Sequence, residues 1–119
     1  MSDRLSWIEH KGTRILYVDY TGTSEEEFIQ TIDEFKNELL KQTPGSVGTL
    51  SNMTNTVVTP NVTRKFKELA EQTRGISIGA AAIGVTGFKM PIAEMVRKGI
   101  YYADSLKEAK DWLAEQARK

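Results

Sequence analysis

Tyr102-Ala103-Asp104-Ser105-Leu106-Lys107-Glu108-Ala109-Lys110-Asp111-Trp112-Leu113 reads as the end of a strand passing directly into a capped helix. Ile100 to Ala103 is short and apolar, as an edge strand would be. Asp104 or Ser105 supplies the N-cap, and Leu106, Ala109, Leu113 and Ala117 fall on one helical stripe flanked by Trp112. The strand-then-helix order of this stretch recurs upstream, and the repetition decides the fold.

Immediately before it, Gly84-Val85-Thr86-Gly87 turns into a short helix from Phe88 to Lys98, holding Ile92, Met95 and Val96 and ending at Gly99. Ile76 to Val85 is an apolar run whose Gly79 and Ala80 to Ala82 suit a buried strand closely approached by a helix. Thr59-Pro60 starts a helix, threonine as cap and proline at the first position, with Val62, Phe66, Leu69 and Ala70 on its inner stripe. Gly75 ends it. Ser46 to Ser51 is a weaker strand. Ser24 and Glu27 form a capping box ahead of Phe28, Ile32, Phe35 and Leu39, a stripe on a helix running to about Lys41 and stopped by Pro44-Gly45.

At the start, Leu5 to His10 and Thr13 to Tyr20 read as a hairpin around Lys11-Gly12. Ile15, Tyr17 and Asp19 share one face of the second strand, and Leu16, Val18 and Tyr20 share the other. A strand apolar on both faces is covered on both sides, which predicts a central place in an α/β sheet. The expected fold is one α/β domain over residues 1–119. Its sheet is mixed and mostly parallel, of about five strands with four helices, and opens with a β-hairpin.

Composition excludes more than it selects. Sixteen basic residues balance sixteen acidic ones, so no net field draws nucleic acid or an anionic membrane. With no cysteine, disulfides, thiol chemistry and cysteine metal sites all drop out. Met1-Ser2-Asp3-Arg4 lacks an apolar signal core, and no run approaches the ~18 apolar residues of a membrane span. The expectation is a cytoplasmic protein with no integral membrane segment.

The order of elements, with its opening hairpin, resembles that of STAS domains. The sequence itself is most similar to the SpoIIAA-like family of small bacterial proteins. The residues that carry the likeness are 7–22 (Trp-Ile-Glu-His-Lys-Gly-Thr-Arg-Ile-Leu-Tyr-Val-Asp-Tyr-Thr-Gly), Ala82-Ile83-Gly84-Val85-Thr86-Gly87 and Glu108-Ala109-Lys110-Asp111-Trp112-Leu113. The resemblance implies a non-enzymatic binding or regulatory module related in fold to anti-sigma-factor antagonists and to lipid-binding CRAL-TRIO domains. Those antagonists carry a regulatory serine in an Asp-Ser-Ser-Gly-like segment before their second helix. The corresponding stretch here, Asn52-Met53-Thr54-Asn55-Thr56-Val57-Val58-Thr59-Pro60, has no such segment and no aspartate. Thr56 and Thr59 stand near the regulatory position by topology alone.

Candidate sites follow from the loops. Ligands of parallel sheets usually bind beyond the strands' carboxyl ends. There, Asn52, Thr54, Thr56 and Thr59 offer hydrogen-bonding groups beside a helix N-terminus, with Asp19 ending the neighbouring strand. Thr86 and Gly87 lie in a strand-to-helix turn that matches neither a Walker loop nor a dinucleotide fingerprint. Phe88, Met90, Ile92, Met95 and Val96 exceed the needs of one buried stripe and form a candidate apolar interaction surface. His10 is the sole histidine, and sequence spacing sets no serine or acid beside it. It reads as a solvated hairpin residue.

No catalytic set, metal site or cofactor is expected. The predicted function is recognition through protein–protein contacts, with a protein partner or self-association into a homodimer. The alternative is a carrier or sensor of a lipid or other apolar small molecule.

Overall fold

The structure is a computed structural model that describes residues 3–85 and 100–119. In chain order it has β1 (Leu5–His10), β2 (Thr13–Asp19), α1 (Glu25–Leu40), β3 (Val47–Asn52), α2 (Pro60–Gln72), β4 (Ser77–Ile83) and β5 (Tyr101–Ala103). Helix α3 (Leu106–Gln116) follows. The fourth predicted helix, Phe88 to Lys98, falls outside the described residues.

The five strands form one sheet in the order β1-β2-β3-β4-β5. Strands β1 and β2 are antiparallel, and every other neighbouring pair is parallel. The hairpin turns on Lys11 and Gly12, both at positive φ (52° and 79°), as a two-residue turn between right-twisted strands requires. The register sets Ile8 opposite Ile15 and His10 opposite Thr13. Strand β5 is the edge its sequence predicted.

Alternation along the strands builds two buried layers. Leu16, Val18 and Tyr20 of the β2 region join Phe28, Ile32, Phe35 and Leu39 of α1, together with Val62 of α2, on one face. Ile15 and Leu50 join Ala81, Ala103 and the α3 residues Ala109 and Leu113 on the other. Strand β2 is therefore covered on both sides, as its residues require.

The caps are those the sequence offers. Ser24 and Glu27 form the reciprocal capping box, Thr59 caps α2 with Pro60 following, and Ser105 caps α3. One stripe needs correction. Ala109, Leu113 and Ala114 are the buried residues of α3, whereas Leu106 and Ala117 are exposed. Leu106 is the first residue of α3 and Ala117 its C-cap, so both stand at the ends of the helix, where the side chains reach solvent.

Candidate functional site

Because β2, β3 and β4 run parallel, their carboxyl ends lie side by side, with Asp19 level with Asn52 and Asn52 level with Ile83. Backbone bonds beyond the strands join the loops into one surface. Tyr20 N donates to Asn52 O (3.0 Å), Met53 N to Ile83 O (2.8 Å) and Gly22 N to Asn55 O (3.3 Å).

The predicted site residues Asp19, Asn52, Thr54, Thr56 and Thr59 all come to this edge, where their polar groups shape the loops. Asp19 Oδ1 accepts from the Thr21 amide at 2.9 Å and closes the turn after β2. Arg4 Nη1 pins the same turn by donating to the Asp19 and Thr21 carbonyls. Asn52 Oδ1 accepts from both the amide and the hydroxyl of Thr54 (3.1 and 2.7 Å), and its Nδ2 donates to the Tyr17 hydroxyl at 3.1 Å. Thr56 is buried, and its hydroxyl donates to the Met53 carbonyl at 2.7 Å.

Thr59 accepts from the Val62 amide at 3.2 Å as the α2 cap. Its hydroxyl also bonds the Glu25 carboxylate, to which Asn61 Nδ2 donates at 3.0 Å. These two bonds, from Thr59 first and Asn61 second, hold Glu25 below the usual carboxylate range.

Gly84 fixes the loop from the β4 side. Its φ is +76°, and a Cβ there would run into Thr54, 2.5 Å from the amide nitrogen and closer still to the hydroxyl. Only glycine permits that approach. The other predicted residues, Thr86, Gly87, Phe88, Met90, Ile92, Met95 and Val96, lie outside the described residues.

Two features escaped sequence reasoning. The first is Val57, which is 73% exposed in the middle of this hydrogen-bonded loop. Its signal was present, as a pair of valines inside an otherwise polar segment. The second corrects the reading of His10. Its ring is only 21% exposed, and Nε2 lies 2.7 Å from Asp111 Oδ1 on α3. Lys11 Nζ reaches the same oxygen at 3.2 Å, and Lys107 Nζ reaches Oδ2 at 2.8 Å.

Lys107, His10 and Lys11, in that order, hold the Asp111 carboxyl far below the usual range. Residues 101 positions apart leave no spacing signal, so only the fold brings this group together. Beside it runs a shallow groove of about 390 Å³. On its wall Tyr101 stacks on Trp112 at 4.8 Å, and the Tyr101 hydroxyl donates to Glu108 at 2.6 Å. Each of these groups has its partner within the wall, so the arrangement ties the hairpin and β5 to α3.

Among the described residues no cluster of histidine and carboxylate side chains could hold a metal ion, and no helix is long and apolar enough to cross a membrane. No family model, curated protein or solved structure matches the chain.

Proposed function

We propose that this chain is a non-enzymatic binding or regulatory module of the STAS/SpoIIAA-like type, acting through protein–protein contacts at the carboxyl edge of its sheet. The observation that carries this reading is Val57. A large apolar side chain stands 73% exposed on a loop whose neighbouring threonine and asparagine groups are spent on its own backbone and cap. A preorganised loop loses little conformational freedom on association, and an exposed apolar side chain at its crest is what a partner would desolvate. The polar rim of Thr54 and Asn55, both exposed, suits the border of such a contact.

Control of that contact by a phosphate on Thr59 has an electrostatic obstacle. The hydroxyl already bonds Glu25, so a phosphoryl group would set about two negative charges against that carboxylate. Exposed Thr54 carries no such neighbour in its bonding and is the better acceptor position.

The test is a photo-crosslinking residue at position 57 in the protein's own host, with position 40 on the exposed end of α1 as control. The expected result is one discrete protein adduct from position 57 and none from position 40. Variant Val57→Lys should leave the unfolding free energy within the scatter of surface substitutions, about 0.5 kcal/mol, and should fail to compete for that adduct. Absence of a position-specific adduct would overturn the reading.

A further inference from the structure

The two lateral edges of the sheet are unequal. Strand β5 spans three residues, whereas β1 at the opposite edge spans six. An edge strand presents unpaired backbone groups, and proteins ordinarily blunt a long one with proline, lysine or a bulge. Strand β1 has neither proline nor lysine, and its register with β2 runs unbroken from Leu5 to His10.

Which of its groups point outward follows from the pairing. The Asp19 amide donates to the Arg4 carbonyl at 2.8 Å, so Arg4 and Asp19 are a hydrogen-bonded pair. Such pairs alternate along an antiparallel ladder. Ser6, Ile8 and His10 therefore bond β2, opposite Tyr17, Ile15 and Thr13. The tight turn at Lys11-Gly12 requires the same phase, since His10 and Thr13 close it. Leu5, Trp7 and Glu9 thus direct their amides and carbonyls away from the sheet, and among the described residues nothing bonds these backbone groups. The indole of Trp7 does not cross that edge. Its Nε1 donates to Glu38 on α1 at 3.4 Å and Arg14 lies 4.3 Å over the ring, which holds it against the face of the sheet.

We propose that β1 is the contact between two copies of this chain, paired antiparallel about a two-fold axis at Trp7, so that two sheets become one. The phase of the strand lets this register use every outward group. Trp7 pairs with its own counterpart, and Leu5 pairs with the counterpart of Glu9. Shifting by one pair loses part of this. In one direction Glu9 meets the counterpart of exposed Asp3, like charge against like. In the other, Leu5 meets the counterpart of Lys11, which the turn holds at φ 52°. The register centred on Trp7 instead brings Asp3 toward the counterpart of half-exposed Lys11, a pair of opposite charge. This self-complementarity selects a second copy over an unrelated strand. Two-fold pairing also closes at the dimer, whereas joining β1 to β5 head to tail would leave edges to extend. The contact lies at the side of the sheet rather than at its carboxyl ends and does not rest on the Val57 surface.

The full-length chain is followed by sedimentation velocity and by amide hydrogen exchange over about a hundredfold range of protein concentration. Monomer should pass to dimer. As it does, the amides of Leu5, Trp7 and Glu9 should slow by about tenfold or more, while those of Ser6 and Ile8 are protected at every concentration. Glu9→Pro removes an amide hydrogen that only the second copy would use, at an edge position where proline is tolerated. This variant should stay monomeric while keeping its far-ultraviolet circular dichroism. Val57→Lys should dimerise as wild type does. A monomer throughout, or a dimer in which the outward amides exchange as they do in the monomer, would overturn the proposal. A folded Glu9→Pro that dimerises like wild type would overturn it too. Protection of those amides only on adding another protein would assign the edge to a foreign strand, against the proposal. Should Glu9→Pro fail to fold, the alternating exchange pattern of wild type decides alone.

Discussion

On one face of the sheet α1 and α2 meet the strands through large side chains, with Tyr20, Phe28 and Phe66 interlocked at ring-to-ring distances of 4.6 to 5.7 Å. On the other face α3 meets the strands where side chains are missing. A Cβ on Gly48 would stand 3.0 Å from Leu113 Cδ2, and one on Gly79 would stand 3.1 Å from Trp112 Cζ3. The first layer is held by volume, the second by closeness of approach. The two should therefore fail in opposite ways, one when atoms are removed and the other when they are added.

The largest effect is expected from emptying the thick layer. Phe28→Ala removes the ring on which Tyr20 stacks and should cost about 4 kcal/mol, read from urea unfolding. Filling the thin layer comes next. Gly48→Ala should cost about 2 kcal/mol by overpacking against Leu113. A double-mutant cycle sharpens the contrast. In a Leu113→Val background the Gly48→Ala cost should fall by about 1 kcal/mol, because the clashing methyl has been withdrawn. Phe28→Ala should add to Leu113→Val without coupling, since the sheet lies between them. A Gly48→Ala protein as stable as wild type would break the comparison.

How much of this was legible depended on the range of the interactions involved. Hairpin, caps and strand faces were readable because each is set by neighbours: Lys11-Gly12 by its positive φ, Ser24 and Glu27 by their mutual bonds, β2 by alternation. Gly79 and the alanines after it correctly announced a close helix. The extent of the α3 stripe was misread at Leu106 and Ala117, because periodicity marks a face but not where the helix that carries it ends. At the candidate site, composition identified the polar loop residues. It gave no sign that their groups would be consumed by their own turns, nor that Val57 would be left at the crest. The Tyr20 hydroxyl, which has no partner among the described residues, and the His10–Asp111 pair depend on packing between distant segments, which no local pattern encodes.

The smallest effect tests how the thin layer is fastened at its end. Asp111 receives Lys107 from its own helix and His10 and Lys11 from the hairpin turn. Its carboxyl is held far below the usual range, by Lys107 first. A carboxyl with a depressed folded value contributes stability that is fully present above its unfolded value. That contribution is lost as pH falls through the folded one. Asp111→Asn should therefore melt below wild type at neutral pH, and the gap should narrow as the solution is acidified below about pH 4, the ordinary aspartate value. Salt should narrow it too, since the group is partly exposed and screened. The loss should also be local. Amides of the Lys11-Gly12 turn should exchange faster in the variant, while those of α1 and α2 keep wild-type protection. A gap unchanged by pH and salt would mean that Asp111 fastens the hairpin by shape rather than by charge, and the thin layer would then depend on close contact from end to end.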